Sequence, residues 1–325
     1  MLVRDAPEPV SADSVLEVLM VRRNLQSDFV GGAYVFPGGA VDLVDGGSEA
    51  EAICQGRSDA EASALLGVGS GGLAYWVAVL RECFEEAGVL LAQGPDGRPL
   101  SFADPAVENR FAGQRRELNA GRRTFLELCG DEGLRLATDR VHYFAHWITP
   151  EGAPRRYDTR FFVAEAPSGQ TPLNDAAETI AEEWLAPAEA LRRHREHQME
   201  LIFPTIRNLQ AISRFPDSAT LLAAAAAASS SVPRVEPRVI ADGGAGVRIV
   251  LPGDPGYEQA EHARAPADPN SFNDAVRAIS HGANPAPISH GANPAPISHG
   301  ANPAPADVGV NPAPISHGAN PAAGA

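Results

Sequence analysis

Three glutamates, Glu82, Glu85 and Glu86, fall within five consecutive residues of the chain. On an α-helix, positions i, i+3 and i+4 share one face, so the three carboxylates would lie side by side. Like charges at these spacings destabilise a helix by about 0.2–0.5 kcal/mol per pair. Hard divalent cations such as Mg²⁺ prefer carboxylate oxygens as ligands. The pattern is therefore typical of either a solvated acidic stripe or a divalent metal site.

The segment around the glutamates predicts an amphipathic helix. Its apolar residues recur at spacings of three and four, at Leu73, Trp76, Val77, Leu80 and Phe84. Gly88 is well placed to end the helix. Such a helix would bury one face in the core and carry the carboxylates near its C-terminal end.

Two flanking motifs give the glutamates a context. The tetrapeptide FPGG, at Phe36 to Gly39, precedes the helix, and EEAGVLL ends it. Together they resemble the Nudix box, G-x5-E-x7-R-E-U-x-E-E-x-G-U, in which U is a bulky apolar residue. The matching positions are Gly39, Arg81, Glu82, Cys83, Glu85, Glu86, Gly88 and Val89.

The chain departs from that pattern at two points. Asp45 stands where the pattern has its first Glu, and the seven-residue spacer is replaced by the 35 residues 46–80. An expanded box of this kind is similar to the peroxisomal coenzyme A diphosphatase subgroup of the Nudix hydrolase superfamily and its bacterial relatives. The resemblance covers about residues 14–257 and extends to FLELCGDEGL (125–134), HWITP (146–150), RRYDTRFF (155–162) and LPGDPGY (251–257).

The resemblance implies a Nudix fold, an α/β/α sandwich around a mixed β-sheet with extra helices. It implies Mg²⁺ or Mn²⁺ held by Glu82, Glu85 and Glu86, with the carbonyl oxygen of Gly38 completing the shell. Arg81 would orient the glutamates, although it is also spaced for an ordinary helix salt bridge with Glu85. Glu178, six residues before Trp184, matches a fourth catalytic carboxylate, with Glu182 and Glu183 as competitors.

The implied activity is hydrolysis of a diphosphate linkage in a nucleotide derivative. CoA or acyl-CoA, cleaved to 3′,5′-ADP and a 4′-phosphopantetheine product, is the leading substrate class. ADP-ribose, NADH or another nucleoside diphosphate derivative is the alternative. A non-catalytic Nudix-fold binding module is a third interpretation, to which Asp45 and the long spacer point. Arg155, Arg156 and Arg160 form a candidate substrate-binding cluster, because arginine forks suit phosphate groups; solubility explains surface arginines equally well.

Composition excludes several other classes. The 325 residues include 26 Lys and Arg and 41 Asp and Glu, which gives a net charge of −15. This negative charge argues against nucleic-acid binding. The longest apolar stretch, residues 219–228, is too short to cross a membrane. The N-terminus lacks a signal-peptide pattern, and three widely spaced cysteines favour a reducing cytoplasm. The oligomeric state is left open.

The remaining segments alternate between strand-like and helix-like patterns. Strands are predicted at 14–22, 33–36, 140–148 and 159–164, helices at 104–136 and 187–211 with a possible extension over 218–229, and a hairpin within 232–257. Residues 46–72 lack periodicity and are predicted to form an inserted surface loop, which could be shortened without loss of folding.

A nine-residue repeat, ISHGANPAP, begins at Ile279 and recurs to the end of the chain. Each unit has two prolines and a single large apolar residue, too little apolar surface to offset chain ordering. We therefore predict a Nudix domain over residues 1–257 and a disordered tail over 258–325. The four repeat histidines are too sparse for a metal-binding tract.

Overall fold

The described residues form eleven β-strands. They are seen in a computed structural model, which describes residues 1–10, 14–23, 32–151, 153, 156–172, 179–242 and 246–262. The strands are β1 (Leu2–Asp5), β2 (Leu16–Arg23), β3 (Tyr34–Val35), β4 (Ala92–Gln93), β5 (Arg135–Leu136), β6 (His142–Ile148), β7 (Asp158–Glu165), β8 (Thr179–Leu185), β9 (Arg234–Val235), β10 (Arg238–Asp242) and β11 (Gly246–Val250).

Seven of these strands form the central sheet, in the order β3-β2-β1-β7-β6-β9 with β8 also paired to β2. The pairs β1–β7 and β6–β9 are parallel, and β1–β2, β2–β3, β2–β8 and β6–β7 are antiparallel. The sheet is therefore mixed, as predicted. Strands β10 and β11 form the predicted hairpin, and β4 pairs with β5.

Eight α-helices accompany the sheet in the described part of the chain. They are α1 (Ser48–Ile53), α2 (Asp59–Leu66), α3 (Leu73–Ala87), α4 (Pro105–Asn119), α5 (Phe125–Asp131), α6 (Pro187–Arg195), α7 (Phe203–Ile212) and α8 (Ser218–Ala228). The predicted helix at Leu73 is confirmed, and Gly88 ends it with a left-handed φ of 67°, a conformation that glycine adopts without steric cost.

Alternation along β2 divides the core into two layers. Leu19 packs in the cluster that contains the buried face of α3, whereas Val18 and Met20 pack in the cluster that contains residues of α6, α7 and α8. Successive side chains of a strand point to opposite faces, so the sheet lies between two helical layers. This is the predicted α/β/α sandwich.

The inserted segment 46–72 is a correction to the sequence prediction. It forms helices α1 and α2 rather than an irregular loop. Ala50, Cys54, Ala62 and Leu66 are buried in the same cluster as α3. The sequence pattern did not predict these helices because their apolar residues are small and few. In addition, α2 has only eight residues, too short for a clear helical period.

Two further boundaries differ from the predictions. The segment 187–211 contains two helices, α6 and α7, and α8 is separate, beginning after Asp217, whose side chain accepts a hydrogen bond from the Thr220 amide. Residues Glu258–His262, assigned to the tail, form a 3₁₀ helix with Ala260 buried. The rest of the predicted tail, 263–325, lies outside the described residues. No helix in the described ranges is both long and apolar enough to cross a bilayer.

Candidate active site

The three glutamates lie on the half-exposed side of α3. The opposite side is buried in the core through Trp76, Val77, Leu80 and Phe84, which fixes the rotation of the helix. Glu82, Glu85 and Glu86 are each partly buried in the last turn and a half of the helix. The apolar spacing that predicted the helix thus also sets where the carboxylates point.

Arg81 ties two of the glutamates to the loop that precedes the helix. Its buried guanidinium donates from Nη1 to Glu82 Oε1 at 2.9 Å and to Glu85 Oε2 at 2.7 Å. On its other edge it donates to both carboxylate oxygens of Asp45, at 2.8 and 2.9 Å, and to the Ala40 carbonyl at 2.8 Å. Arg81 is thus the hub of the site, and it holds Glu82 and Glu85 in place.

Asp45 therefore makes the ion pair with Arg81 despite departing from the pattern. It is 1 % exposed, and its Oδ2 also accepts a 2.7 Å hydrogen bond from the Asp42 amide. The shorter side chain reaches Arg81 because residues Leu43–Asp45 form a 3₁₀ turn that lies against α3. The Asp at this position does not by itself indicate a dismantled site.

The FPGG turn lies directly on the carboxylates of Glu86 and Glu82. The Gly38 amide donates to Glu86 Oε2 at 2.8 Å. A Cβ added at Gly39 would lie 2.5 Å from Glu82 Oε1, so any side chain there would displace the Glu82 carboxylate. The absence of a side chain at Gly39 thus lets the main chain approach Glu82 closely, and Gly38 adopts a positive φ of 152°, which glycine tolerates.

Burial and mutual repulsion raise the carboxylate pKa values. Burial raises the pKa of Glu82 to about 7, with Arg81 opposing and Glu85 adding to the increase. Burial also raises the pKa of Glu85, again against the effect of Arg81. A second positive charge close to these groups would favour their charged forms.

The donor chemistry of this site fits Mg²⁺ or Mn²⁺. Three carboxylates and the nearby Gly38 main chain supply only oxygen, as hard cations require. The close approach of Gly38 and Gly39 to Glu86 and Glu82 brings these donors together across the loop and the helix. Glu82 and Glu85 turn toward Arg81, and within the described ranges no three His, Cys, Asp or Glu side chains surround one point.

The fourth catalytic carboxylate that the resemblance implies has three candidate glutamates. Glu178 lies outside the described residues. Glu183 is directed to the sheet face opposite α3, where it accepts a hydrogen bond from the Tyr34 hydroxyl and pairs with Arg193. Glu182 is close to α3: burial raises the pKa of Cys83 to about 12, and Glu86 and Glu182 add to that increase. Glu182 is thus the described glutamate of this segment that lies on the face of the sheet that carries the site.

The predicted arginine cluster has two described members, and they contact different partners. Arg155 lies outside the described residues. Arg156 donates to the Thr149 carbonyl at 3.0 Å and pairs with Glu236. Arg160 is 9 % exposed, pairs with Asp158 at 2.8 Å and lies over the Tyr75 ring. Both described arginines thus use their guanidinium groups within the protein.

Two residues that hold the ends of α3 were missed by the sequence interpretation. Asp59 of the insertion accepts hydrogen bonds from the Gly71 and Leu73 amides, both at 2.9 Å. Arg115 of α4 donates to the Glu85 and Glu86 carbonyls, both at 2.8 Å. A signal existed only for Arg115, an arginine spaced with Phe111 and Leu118 on the apolar stripe of its helix.

The middle of the chain is similar to Nudix domains. Residues 59–212 match the family model described as NUDT19 Nudix domain. The chain is 29 % identical over 247 residues to "Acyl-coenzyme A diphosphatase NUDT19" of Gallus gallus, covering 65 % of each chain. It is 24 % identical over 227 residues to the Homo sapiens protein of the same name, covering 61 % of this chain and 60 % of that one.

A solved structure supports the same assignment. The "Crystal structure of NUDIX hydrolase from Alicyclobacillus acidocaldarius" is similar with a TM-score of 0.52 and 25 % identity, over 68 % of this chain and 92 % of that one. The chain is thus similar to Nudix hydrolases in sequence and in fold, as the box motif indicated. The matched region spans slightly less than two thirds of the length of each of these curated relatives.

Proposed function

We propose that this protein is a divalent-metal-dependent Nudix diphosphatase that cleaves CoA or acyl-CoA into 3′,5′-ADP and a 4′-phosphopantetheine product. The observation that carries the proposal is the packing of the Gly38–Gly39 turn on Glu82 and Glu86, with the Arg81–Asp45 pair behind them. The names of the relatives support the substrate class. ADP-ribose, NADH and other nucleoside diphosphate derivatives are the alternative substrates.

Each residue of the site has a proposed role in diphosphate hydrolysis. Glu82, Glu85, Glu86 and the Gly38 carbonyl would hold Mg²⁺ or Mn²⁺, which supplies charge neutralisation of the diphosphate and activation of water. Arg81 keeps Glu82 and Glu85 oriented, and Asp45 keeps Arg81 in place. Glu178 and Glu182 are the candidates for moving a proton from the attacking water. Arg155, Arg156 and Arg160 stay candidates for contacts with substrate phosphates.

The compartment belongs to the same proposal. We infer a reducing environment such as the cytoplasm. Support comes from Cys54, Cys83 and Cys129, all three buried and unbonded. Burial also raises the pKa of the Cys129 thiol to about 12, which disfavours the reactive thiolate.

The test is a substrate panel combined with charge-removing variants. CoA, acetyl-CoA, a long-chain acyl-CoA, ADP-ribose and NADH are incubated with Mg²⁺, with Mn²⁺ and with EDTA, and the products are separated by chromatography. Glu82→Gln, Glu85→Gln and Glu86→Gln should each lower kcat by about 10²-fold or more, because each removes a ligand charge. Glu117→Gln, an exposed glutamate on α4, is the matched control.

Each outcome separates the alternatives. Release of 3′,5′-ADP from the CoA substrates, lost with EDTA, supports the proposal. Higher kcat/KM for ADP-ribose or NADH would move the substrate class to the alternative. Binding of CoA without turnover by the wild type would identify a non-catalytic binding module.

A further inference from the structure

The carbonyl groups that the C-terminal end of α3 does not itself satisfy include those of two glutamates. The Gly88 amide donates to the Phe84 carbonyl at 2.9 Å, and the Val89 amide donates to the Cys83 carbonyl at 3.4 Å. The next two carbonyls in sequence belong to Glu85 and Glu86. Carbonyls in the last turn of a helix need donors from outside it, and these two belong to candidate metal ligands.

Arg115 and Asn119 of α4 supply those donors. Arg115 donates from Nε to the Glu85 carbonyl and from Nη2 to the Glu86 carbonyl, both at 2.8 Å. Asn119 Nδ2 donates to the Glu85 carbonyl at 3.3 Å. Since the donors and acceptors are 29 to 34 residues apart in sequence, this contact fixes the tertiary position of the helix end.

Arg115 occupies a position where a charge is costly. It is 3 % exposed and lies between Phe111 and Leu118 on the side of α4 that faces the core. A buried charge persists only when its hydrogen bonds and counter-charges compensate for lost hydration. The negative end of the α3 dipole and the acidic residues of its last turn provide that compensation.

We propose that Arg115 is a positioning residue of the metal centre, acting through the main chain of Glu85 and Glu86. This inference rests on the proposed function. Two peptide groups held by one rigid guanidinium fix where the Cα–Cβ bonds of both glutamates point. Arg81 orients side chains on the solvent side of the helix, and Arg115 fixes the backbone behind them.

The experiment compares Arg115→Gln and Arg115→Lys with Arg116→Gln. Arg116 is exposed on the same helix, so its variant removes the same charge without touching α3. The readouts are the Mn²⁺ affinity of the metal-free protein by titration calorimetry and amide hydrogen exchange over residues 83–89, both measured well below the melting temperature of each variant.

Arg115→Gln should weaken Mn²⁺ binding by about 10- to 100-fold, the range typical of residues that support metal ligands. It should also speed exchange over residues 83–89. Arg115→Lys should recover part of both, since its ammonium can donate to the carbonyls but lacks the rigid planar fork of the guanidinium. Arg116→Gln should match the wild type. Wild-type Mn²⁺ affinity in folded Arg115→Gln would overturn the inference.

Failure of the proposed function is a separate outcome. If the wild type hydrolyses none of the diphosphates but binds Mn²⁺ in an Arg115-dependent way, the function fails and the positioning role stands. If the wild type binds no Mn²⁺, the metal centre and the role of Arg115 in it both fail, whatever the exchange data show.

Discussion

The Asp59 carboxylate accepts a 2.9 Å hydrogen bond from the amide of Leu73, the first residue of α3. Its second oxygen accepts one from the Gly71 amide at 2.9 Å. Asp59 also begins α2, so one side chain joins the insertion to the start of the helix that carries the glutamates. The insertion is thus a structural support of the candidate site.

Removing this contact should destabilise the fold. We expect Asp59→Ala to lower the free energy of unfolding by about 1 kcal/mol, as for loss of other helix caps, when measured by urea denaturation at pH 7. Glu49→Ala, an exposed acid in α1, should leave it unchanged. An Asp59→Ala protein as stable as the wild type would show that water replaces the carboxylate without cost.

The same contact predicts a pH dependence. Hydrogen bonds from the Leu73 and Gly71 amides lower the pKa of Asp59 below its ordinary 3.8. A lowered folded-state pKa contributes stability above the unfolded pKa and loses it as pH falls through the folded value. The stability difference between wild type and Asp59→Asn should therefore be constant from pH 5 to 7 and shrink below about pH 4.

Replacing residues 46–72 with a Gly/Ser linker should prevent stable folding, contrary to the sequence expectation. The linker would remove Ala50, Cys54, Ala62 and Leu66 from the core. Leu66→Ala alone should cost about 2–5 kcal/mol in urea denaturation. Leu43→Ala, at a fully exposed leucine, is the control and should be nearly neutral. A linker variant as stable as the wild type would show that residues 46–72 behave as a surface loop and contribute nothing to stability.

The Arg81–Asp45 pair should matter far more than the neighbouring Arg81–Asp42 contact. Asp45→Ala leaves the buried Arg81 charge without its main partner and should cost about 3–5 kcal/mol. Asp42 is 3.5 Å from Arg81 with a 59 % exposed side chain, so Asp42→Ala should cost under about 1 kcal/mol. Urea denaturation of both variants decides this, and equal effects would refute the hub arrangement.

Two truncations locate the end of the folded domain. A chain ending at residue 262 should keep its melting temperature within about 2 °C of the full chain, because the repeats have too few large apolar residues to form a core. A chain ending at Tyr257 loses buried Ala260 and should melt about 2–4 °C lower. Equal melting temperatures for the two truncated chains would support the boundary predicted from sequence. A large decrease in melting temperature for the chain ending at residue 262 would show that the repeats dock on the domain.

The sequence by itself determined the helix that carries the three glutamates and the resemblance to the Nudix box. Apolar residues at spacings of three and four fixed α3, and Gly88 fixed its end, because both depend on local backbone geometry. The box residues from Gly38 to Glu86 could be assigned by motif. The alternating strands and the hairpin followed from the same local patterns.

Only the tertiary structure decided what holds that helix in place. The contact from Asp59 to Leu73 spans 14 residues, and those from Arg115 to Glu85 and Glu86 span 30 and 29. No periodic pattern links such positions, because the chain between them turns through other elements. The burial of the insertion was hidden for the same reason: small residues such as Ala62 become core residues only when another element packs against them.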